Sequence, residues 1–311
     1  MSALTYLVGD AGELLANWER APFVSTPAAD LNEICSLETI EALLRSGSLP
    51  LPCLRLFRDG AVVPPDQLGR PAERGGAKRD RLADPAAIIS EVAAGATLLI
   101  DELQTYCPPV ADLSRSLTEQ SGYATYCAAF LTPADAPGVK PHFDTASVFI
   151  RQIDGSKVWR IAEPVMHWPA GGWSETTDAP TPVVLETELK AGESLYVPRG
   201  FIHSGVATSH ASVHLSVGMI PLTWTAVLKQ LANAALRDEV FREGLPYGYQ
   251  NLPPEEQRLL LTERMTVLTE RLGQIAASTS PGAALAKATP SPPAVPPAAG
   301  SLRSALLTGS F

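Results

Sequence analysis

Pro141-His142-Phe143-Asp144-Thr145-Ala146-Ser147-Val148-Phe149-Ile150-Arg151-Gln152, together with the later run Gly192-Glu193-Ser194-Leu195-Tyr196-Val197-Pro198-Arg199-Gly200-Phe201-Ile202-His203, decides how this chain is read. His142 and Asp144 stand two positions apart, so an extended backbone puts both side chains on one face, about 7 Å apart along the chain and within reach of a common metal. His203 supplies a second imidazole. Two His and one Asp on one wall make a facial triad, the donor set that leaves positions on Fe(II) open for a co-substrate and O2.

Working outward, residues 125–220 read as short segments rich in Val, Ile, Leu, Phe and Thr with Gly and Pro turns between them. That pattern predicts an antiparallel sandwich or barrel. Strands are expected over 126–131, 147–152, 157–162, 183–189, 194–197 and 212–220. His142 and Asp144 then sit just before one strand, and His203 lies in the connection between two others. Lys157 is expected to point inward, where an unpaired ammonium is costly to bury, so a carboxylate partner is implied.

Several runs occur together and in order: Phe130-Leu131-Thr132-Pro133, His142-Phe143-Asp144, Val148 through Arg160 with Asp154-Gly155-Ser156-Lys157-Val158-Trp159 inside it, Gly192 through His203, and Val213-His214-Leu215-Ser216-Val217-Gly218. In this combination the chain resembles the cupin-type JmjC oxygenases, and within them the ribosomal oxygenase branch. The resemblance extends more weakly over most of residues 5–275. It implies a mainly β fold with flanking helices, a double-stranded β-helix (cupin or jelly-roll) core followed by a helical C-terminal region. It further implies Fe(II) held by His142, Asp144 and His203, with 2-oxoglutarate and O2 as co-substrates. Lys157 then meets the distal carboxylate of 2-oxoglutarate, the Ser216 hydroxyl assists, and Phe130 borders the co-substrate pocket. In related halogenases the carboxylate ligand is replaced by a small residue, so the presence of Asp144 favours hydroxylation. The chain departs from the family where Asn-x-Tyr-Leu-Thr-Pro is usual: it has Ala128-Ala129-Phe130-Leu131-Thr132-Pro133. It also has Ser147 where an acidic residue is frequent. The iron ligands are untouched; an amide and a phenolic hydroxyl near the co-substrate are lost.

By this reading residues 1–122 form helices and strands flanking the barrel, 123–221 the JmjC core, 222–277 a helical region suited to dimerisation, and 278–311 a disordered Ala/Pro-rich tail. Helices are expected over 11–20, 37–46 with Ser36 as cap, 84–94 with Pro85 at its start, 110–120, 223–237 and 254–277. A hairpin turning at Asp59-Gly60 is expected in 52–63, a buried strand over 96–100, and a mobile basic loop over 69–81. The Trp- and Gly-rich loop 166–177, with His167, reads either as part of a substrate mouth or as a surface loop. His214 shares a strand face with Ser212 and Ser216 that could point toward the metal pocket, but is expected to be a hydrogen-bonded core histidine; His210 reads as exposed, and Arg199 as shaping the turn before His203.

Composition bounds the function. With 45% hydrophobic residues in 311, a sizeable core is affordable by size alone. A net charge of −9 argues against direct nucleic-acid binding, which needs clustered Lys and Arg. Cys35, Cys53, Cys107 and Cys127 are scattered without a Cys-x-x-Cys pair or an export signal, as in a cytoplasmic protein with reduced thiols. No membrane span is expected. The expected activity is hydroxylation of a residue in a protein or peptide. The alternatives are hydroxylation of a small metabolite or natural-product precursor, and a non-catalytic metal-binding cupin scaffold.

Overall fold

In the computed structural model, which describes residues 2–74, 77–170, 174–175 and 181–278, polar caps set the helix starts. The side chain of Asp10 accepts from Gly12 N ahead of α1 (Ala11–Asn17). After β1 (Phe23–Ser25), Ser36 accepts from Thr39 N to begin α2 (Leu37–Arg45). β2 (Leu54–Arg58) and β3 (Ala61–Val62) form the expected hairpin; Asp59 (φ 52°) and Gly60 (φ 74°) both adopt the left-handed conformation that its two-residue turn requires. β4 (Gly69–Arg74) and β5 (Ala77–Ala83) come next, then α3 (Pro85–Ala93), capped by Asp84 with Pro85 in its first turn. β6 (Thr97–Ile100), α4 (Pro108–Ser121) and β7 (Ala124–Thr132) lead to β8 (His142–Phe143) and β9 (Ser147–Ala162). β10 (Ser174–Glu175), β11 (Val183–Lys190), β12 (Ser194–Val197) and β13 (Ile202–Ile220) complete the sheet, and α5 (Trp224–Ala235) and α6 (Pro254–Ser278) follow. The chain divides into two compact units between Pro221 and Leu222.

In the first unit β9 and β13 run antiparallel to each other for most of their length. β12 pairs with the early half of β9 and β11 with its later half, while β7 pairs with the later half of β13. The sheet order β1-β12-β9-β13-β7-β6-β2-β3 thus folds over on itself, with β8 attached to β13 and β10 to β8. This is the double-stranded β-helix expected from the sequence.

Three expectations need correction. Residues 147–152 and 157–162 belong to one continuous 16-residue strand, and 212–220 is the end of a 19-residue strand that already contains His203. Asp154-Gly155 looks like a turn in sequence, but here it marks a bulge through which the strand continues, and the β9–β13 register shifts opposite it, between Ala207 and Ser212. The segment 69–81 is not a loop; β4 and β5 pair with each other as a separate two-stranded ribbon, built on backbone hydrogen bonds where apolar periodicity is lacking. The tail expected over 278–311 lies outside the described residues except for Ser278, which ends α6.

Gly155 has φ +63°, and a Cβ there would lie 1.7 Å from the carbonyl oxygen of Ala211. No side chain fits between these backbones. Gly155→Ala is expected to destabilise the protein by roughly 3 kcal/mol, combining left-handed strain with overpacking. Urea denaturation checks this; a midpoint equal to that of the wild type would mean the bulge is freely remodelled.

Alternation along the strands separates core from cavity. Phe149 and Ile153 of β9, Val213, Leu215 and Val217 of β13, and Cys127 and Ala129 of β7 pack with Ile40, Leu56, Val110 and Leu113 in the main core. Burying an aliphatic or aromatic side chain of this size contributes about 1.5–3 kcal/mol. The intervening positions Val148, Ile150, His214, Ser216, Ala128 and Phe130 line the cavity described below. Past the bulge the parity changes, and the odd-numbered Lys157 and Trp159 face that same cavity. In the second unit α6 buries no side chain; Arg264 pairs with Glu243 and Arg271 with Asp238.

Candidate active site

His142, Asp144 and His203 converge, with donor atoms all within 4.8 Å of one another. Nε2 of His203 is 3.6 Å from Oδ2 of Asp144, and the two imidazole centroids are 4.3 Å apart. Backbone pairing produces the meeting. β8 lies against β13 with His142 opposite His203, and on its other side Glu175 of β10 stands opposite His142. The carbonyl of Asp144 accepts from Gly200 N at 2.9 Å, tying the carboxylate's backbone to the turn before His203. Arg199 serves that turn as expected: its N–H donates to Ser147 Oγ at 3.3 Å and its guanidinium to Glu19 at 2.5 Å.

Both imidazoles are oriented by the backbone. His142 Nδ1 lies 2.8 Å from the Lys140 carbonyl and His203 Nδ1 3.1 Å from that of Phe201. With the proton on Nδ1, each ring directs the Nε2 lone pair elsewhere, the tautomer that metal ligation requires. Burial first, and then the neighbouring His203, push His142 down to about 4 against the opposing pull of Asp144, so the ring is neutral near pH 7. Two imidazoles and one carboxylate on one side of a site fit an Fe(II) ion with open positions.

The triad opens into a cavity of about 360 Å3. Lys157, Ser216 and Phe130 line it as well, so all six residues singled out in the sequence share one space. Lys157 is 2% exposed and donates from Nζ to Thr132 Oγ1 at 2.9 Å, while lying 5.3 Å over the Trp159 ring. Thr97 Oγ1 donates to the same Thr132 hydroxyl at 3.2 Å. Among the described residues no carboxylate forms an ion pair with Lys157, and burial pulls its ammonium down to about 7. Ser216 stands opposite Ala128 across the β7–β13 pair, and His214 opposite Phe130. His214 is buried, as expected, but its ring lacks the expected hydrogen bond among the described residues and lines the cavity, and burial followed by the charge of Lys157 holds it well below the ordinary histidine range. His167 and His210 are exposed and stay out of the cavity.

Sequence reasoning passed over Thr132, Trp159, Tyr126, Arg55 and Asp101. Thr132 and Trp159 lie inside the quoted motifs, beside Pro133 and two places after Lys157, and that adjacency was the available signal. Tyr126 is half-buried over Gly218, where a Cβ would fall 2.1 Å from its ring, and desolvation raises its hydroxyl well above the usual phenol range. Arg55 and Asp101 form an ion pair on the cavity rim from β2 and the end of β6, segments with no motif.

The JmjC domain family model matches residues 104–227. Ribosomal oxygenase 1 of Rattus norvegicus is 32% identical over 213 residues, which cover 62% of this chain and 35% of that protein. The bifunctional lysine-specific demethylase and histidyl-hydroxylase NO66 of Dictyostelium discoideum is 34% identical over 166 residues, 47% of this chain and 32% of its own. The chain thus spans about a third of the length of these curated relatives. Among solved structures, Escherichia coli ribosomal oxygenase YcfD matches with a TM-score of 0.52 at 20% identity, covering 84% of this chain and 67% of that one. A structure of YcfD in complex with cobalt and 2-oxoglutarate matches with a TM-score of 0.51 at 20% identity, covering 83% and 66%. At this identity the likeness is one of fold.

Proposed function

We propose that this chain, whose residues 104–227 match the JmjC domain model, is an Fe(II)- and 2-oxoglutarate-dependent oxygenase that hydroxylates a residue of a protein or peptide. The observation that carries this reading is the meeting, in one cavity, of a His-Asp-His donor set and a buried ammonium without an acid partner among the described residues. The complex of YcfD with cobalt and 2-oxoglutarate supports it. When bound, iron and 2-oxoglutarate supply O2 activation, with oxidative decarboxylation to succinate and CO2 coupled to hydroxylation.

The chain's own residues have separable tasks in this reading. His142, Asp144 and His203 hold the metal, and the carbonyls of Lys140 and Phe201 keep the imidazoles aimed. Lys157 receives the distal carboxylate of the diacid, with the Thr132 hydroxyl fixing Nζ. Val148, Ile150 and Trp159 give this end of the cavity apolar walls that exclude water. Holding the reacting C–H bond close is then a matter of orientation, which a misplaced substrate would forfeit.

Cavity size favours a polypeptide substrate. About 360 Å3 lies near the lower end of small-molecule sites. A five-carbon diacid takes part of it, and the rest suits one side chain of a chain lying across the rim, where Arg55 and Asp101 offer a donor and an acceptor. The relatives named as a ribosomal oxygenase and a histidyl-hydroxylase support a polypeptide target. Incubation with Fe(II), 2-oxoglutarate and pools of ribosomal-protein peptides is the test. The expected result is peptide-dependent succinate and a peptide heavier by one oxygen. Succinate formed with metabolite pools alone would transfer the reading to a small-molecule hydroxylase.

The same reading gives the helical unit a role in self-association: Trp224, Leu228, Leu261 and Met265 are exposed. It also fits a reducing compartment such as the cytoplasm, since Cys35, Cys53, Cys107 and Cys127 are all free thiols. No described helix is long and apolar enough to cross a membrane.

A pH dependence follows from Lys157. Its ordinary value is 10.5 and burial lowers it to about 7 in the folded protein. Between these values the unfolded chain binds more protons, so stability rises with pH. The penalty for burying the charge is fully present below about pH 7 and is relieved progressively toward about pH 10.5. Pairing with a carboxylate restores the proton, so 2-oxoglutarate binding at pH 8–9 is expected to take up close to one proton, measurable by calorimetry in buffers of different ionisation enthalpy. Zero uptake at pH 8.5 would mean the ammonium is already charged or is not the anchor.

A further inference from the structure

On the β7 side of the cavity, positions 128 and 130 offer only carbon. Ala128 and Phe130 face Ser216 and His214 across the strand pair, so at these two levels the polar groups belong to β13, while Tyr126 supplies a hydroxyl nearer the start of β7. His214 is 1% exposed and its ring makes no hydrogen bond among the described residues; Nδ1 is fully enclosed without a partner. The ring is gripped on two sides. Phe130 stacks on one face at 4.9 Å and 10°, and Trp159 meets it edge-on at 5.4 Å and 77°. A neutral imidazole always carries one N–H, and an N–H buried without an acceptor is destabilising. Because the two aromatic contacts prevent the ring from swinging toward another protein group, the cavity is where its acceptor must arrive. Lys157 rests on the same Trp159 ring, with Nζ 5.3 Å from the centroid.

We propose that His214 is a co-substrate-binding residue, donating from Nε2–H to the 2-oxo diacid beside Lys157. The assignment rests on the oxygenase reading above. It gives His214 the opposite tautomer to the metal-binding pair: His142 and His203 turn Nδ1–H to the backbone and Nε2 to the metal site, while His214 keeps Nδ1 as an enclosed lone pair and presents Nε2–H. The stack on Phe130 orients the donor, so Phe130 acts on the diacid through His214.

The test is an anaerobic titration of the full-length protein, loaded with Fe(II), against 2-oxoglutarate, following the charge-transfer absorption of the chelated 2-oxo acid. Melting of the ligand-free protein is measured in parallel. His214→Phe preserves ring packing and removes the donor. It is expected to weaken 2-oxoglutarate binding about tenfold, the loss of one hydrogen bond to a charged group. Fe(II) affinity should stay unchanged and the ligand-free melting temperature equal or higher, because an unpaired buried polar group is gone. His214→Gln keeps an N–H and should recover most of the affinity. A His214→Phe protein that binds 2-oxoglutarate like the wild type overturns the assignment, as does a His214→Gln protein that folds yet binds no better than His214→Phe. If the Fe(II)-loaded wild type itself binds no 2-oxoglutarate, the oxygenase reading fails first and this inference with it.

Discussion

Replacing Lys157 with methionine is expected to weaken 2-oxoglutarate binding by about a hundredfold and, in the same protein, to raise the melting temperature of the ligand-free form. The first effect follows from removing the one buried cation on the cavity wall among the described residues. Loss of a charge-assisted bond in a dry site typically amounts to about 2–5 kcal/mol. The second follows from the surroundings: Lys157 is 2% exposed and has a hydroxyl and a ring for company but no carboxylate among the described residues. An isolated ammonium in such a place opposes folding, and an unbranched apolar side chain of similar volume removes that penalty. Lys157→Ala should show the same loss of affinity without the gain in stability, because it leaves a void. Calorimetry with and without 2-oxoglutarate reads both effects. Unchanged affinity in either variant would assign the distal carboxylate to another residue.

Asp144→Asn and His142→Ala are expected to lose Fe(II) affinity by roughly a hundredfold or more and to have no Fe(II)-dependent turnover. Neither should unfold the protein. Asp144 is about one-quarter exposed and its structural tie, the carbonyl bond to Gly200 N, belongs to the backbone. His142 is half-buried in a two-residue strand whose pairing with β13 and β10 needs no side chain. Because burial holds His142 neutral down to about pH 4, metal binding between pH 5 and 8 need not displace a proton from it. Equilibrium dialysis with Fe(II) under anaerobic conditions, beside far-UV circular dichroism, separates loss of metal from loss of fold. Normal turnover in either variant would remove the triad from the chemistry.

Most of the architecture could be read from local patterns, since each depends on neighbours a few positions away. Ser36 and Asp84 cap their helices, Asp59-Gly60 turns its hairpin, and the His142-x-Asp144 spacing reports one strand face. The misreadings have a common cause: the deciding contact lies far away in sequence. Asp154-Gly155 resembles a hairpin turn until Ala211 is brought against it, whereupon the strand runs straight through. His203 seemed to sit in a connection because Pro198-Arg199-Gly200 breaks the chain just before it, yet pairing with Ile161 and His142 begins at once. The basic segment 69–81 has no apolar period because its residues pair across their own two-stranded ribbon, which meets the rest of the fold at Leu82 and Ala83. The rim pair Arg55–Asp101 is beyond any motif, being supplied by strands that join the sheet only through β7.

The division of labour between the two faces of β9 and β13 also sets what kind of genetic change this protein survives. Between Ser147 and Ile153 consecutive residues serve opposite sides: Val148 and Ile150 look into the cavity, while Phe149 and Ile153 build the core and Arg151 clamps the carbonyls of Tyr6, Ala29 and Glu193. A substitution at one position disturbs one side. A single-codon deletion at its start exchanges the sides for the rest of the half-strand, sending Phe149 and the Arg151 guanidinium toward the metal, Ile150 into the core and Gln152 into the clamp. Variation in substrate choice is therefore open to point changes on β7 and the rim, whereas the reading frame of strand pairing in β9 is fixed as firmly as the three ligands themselves.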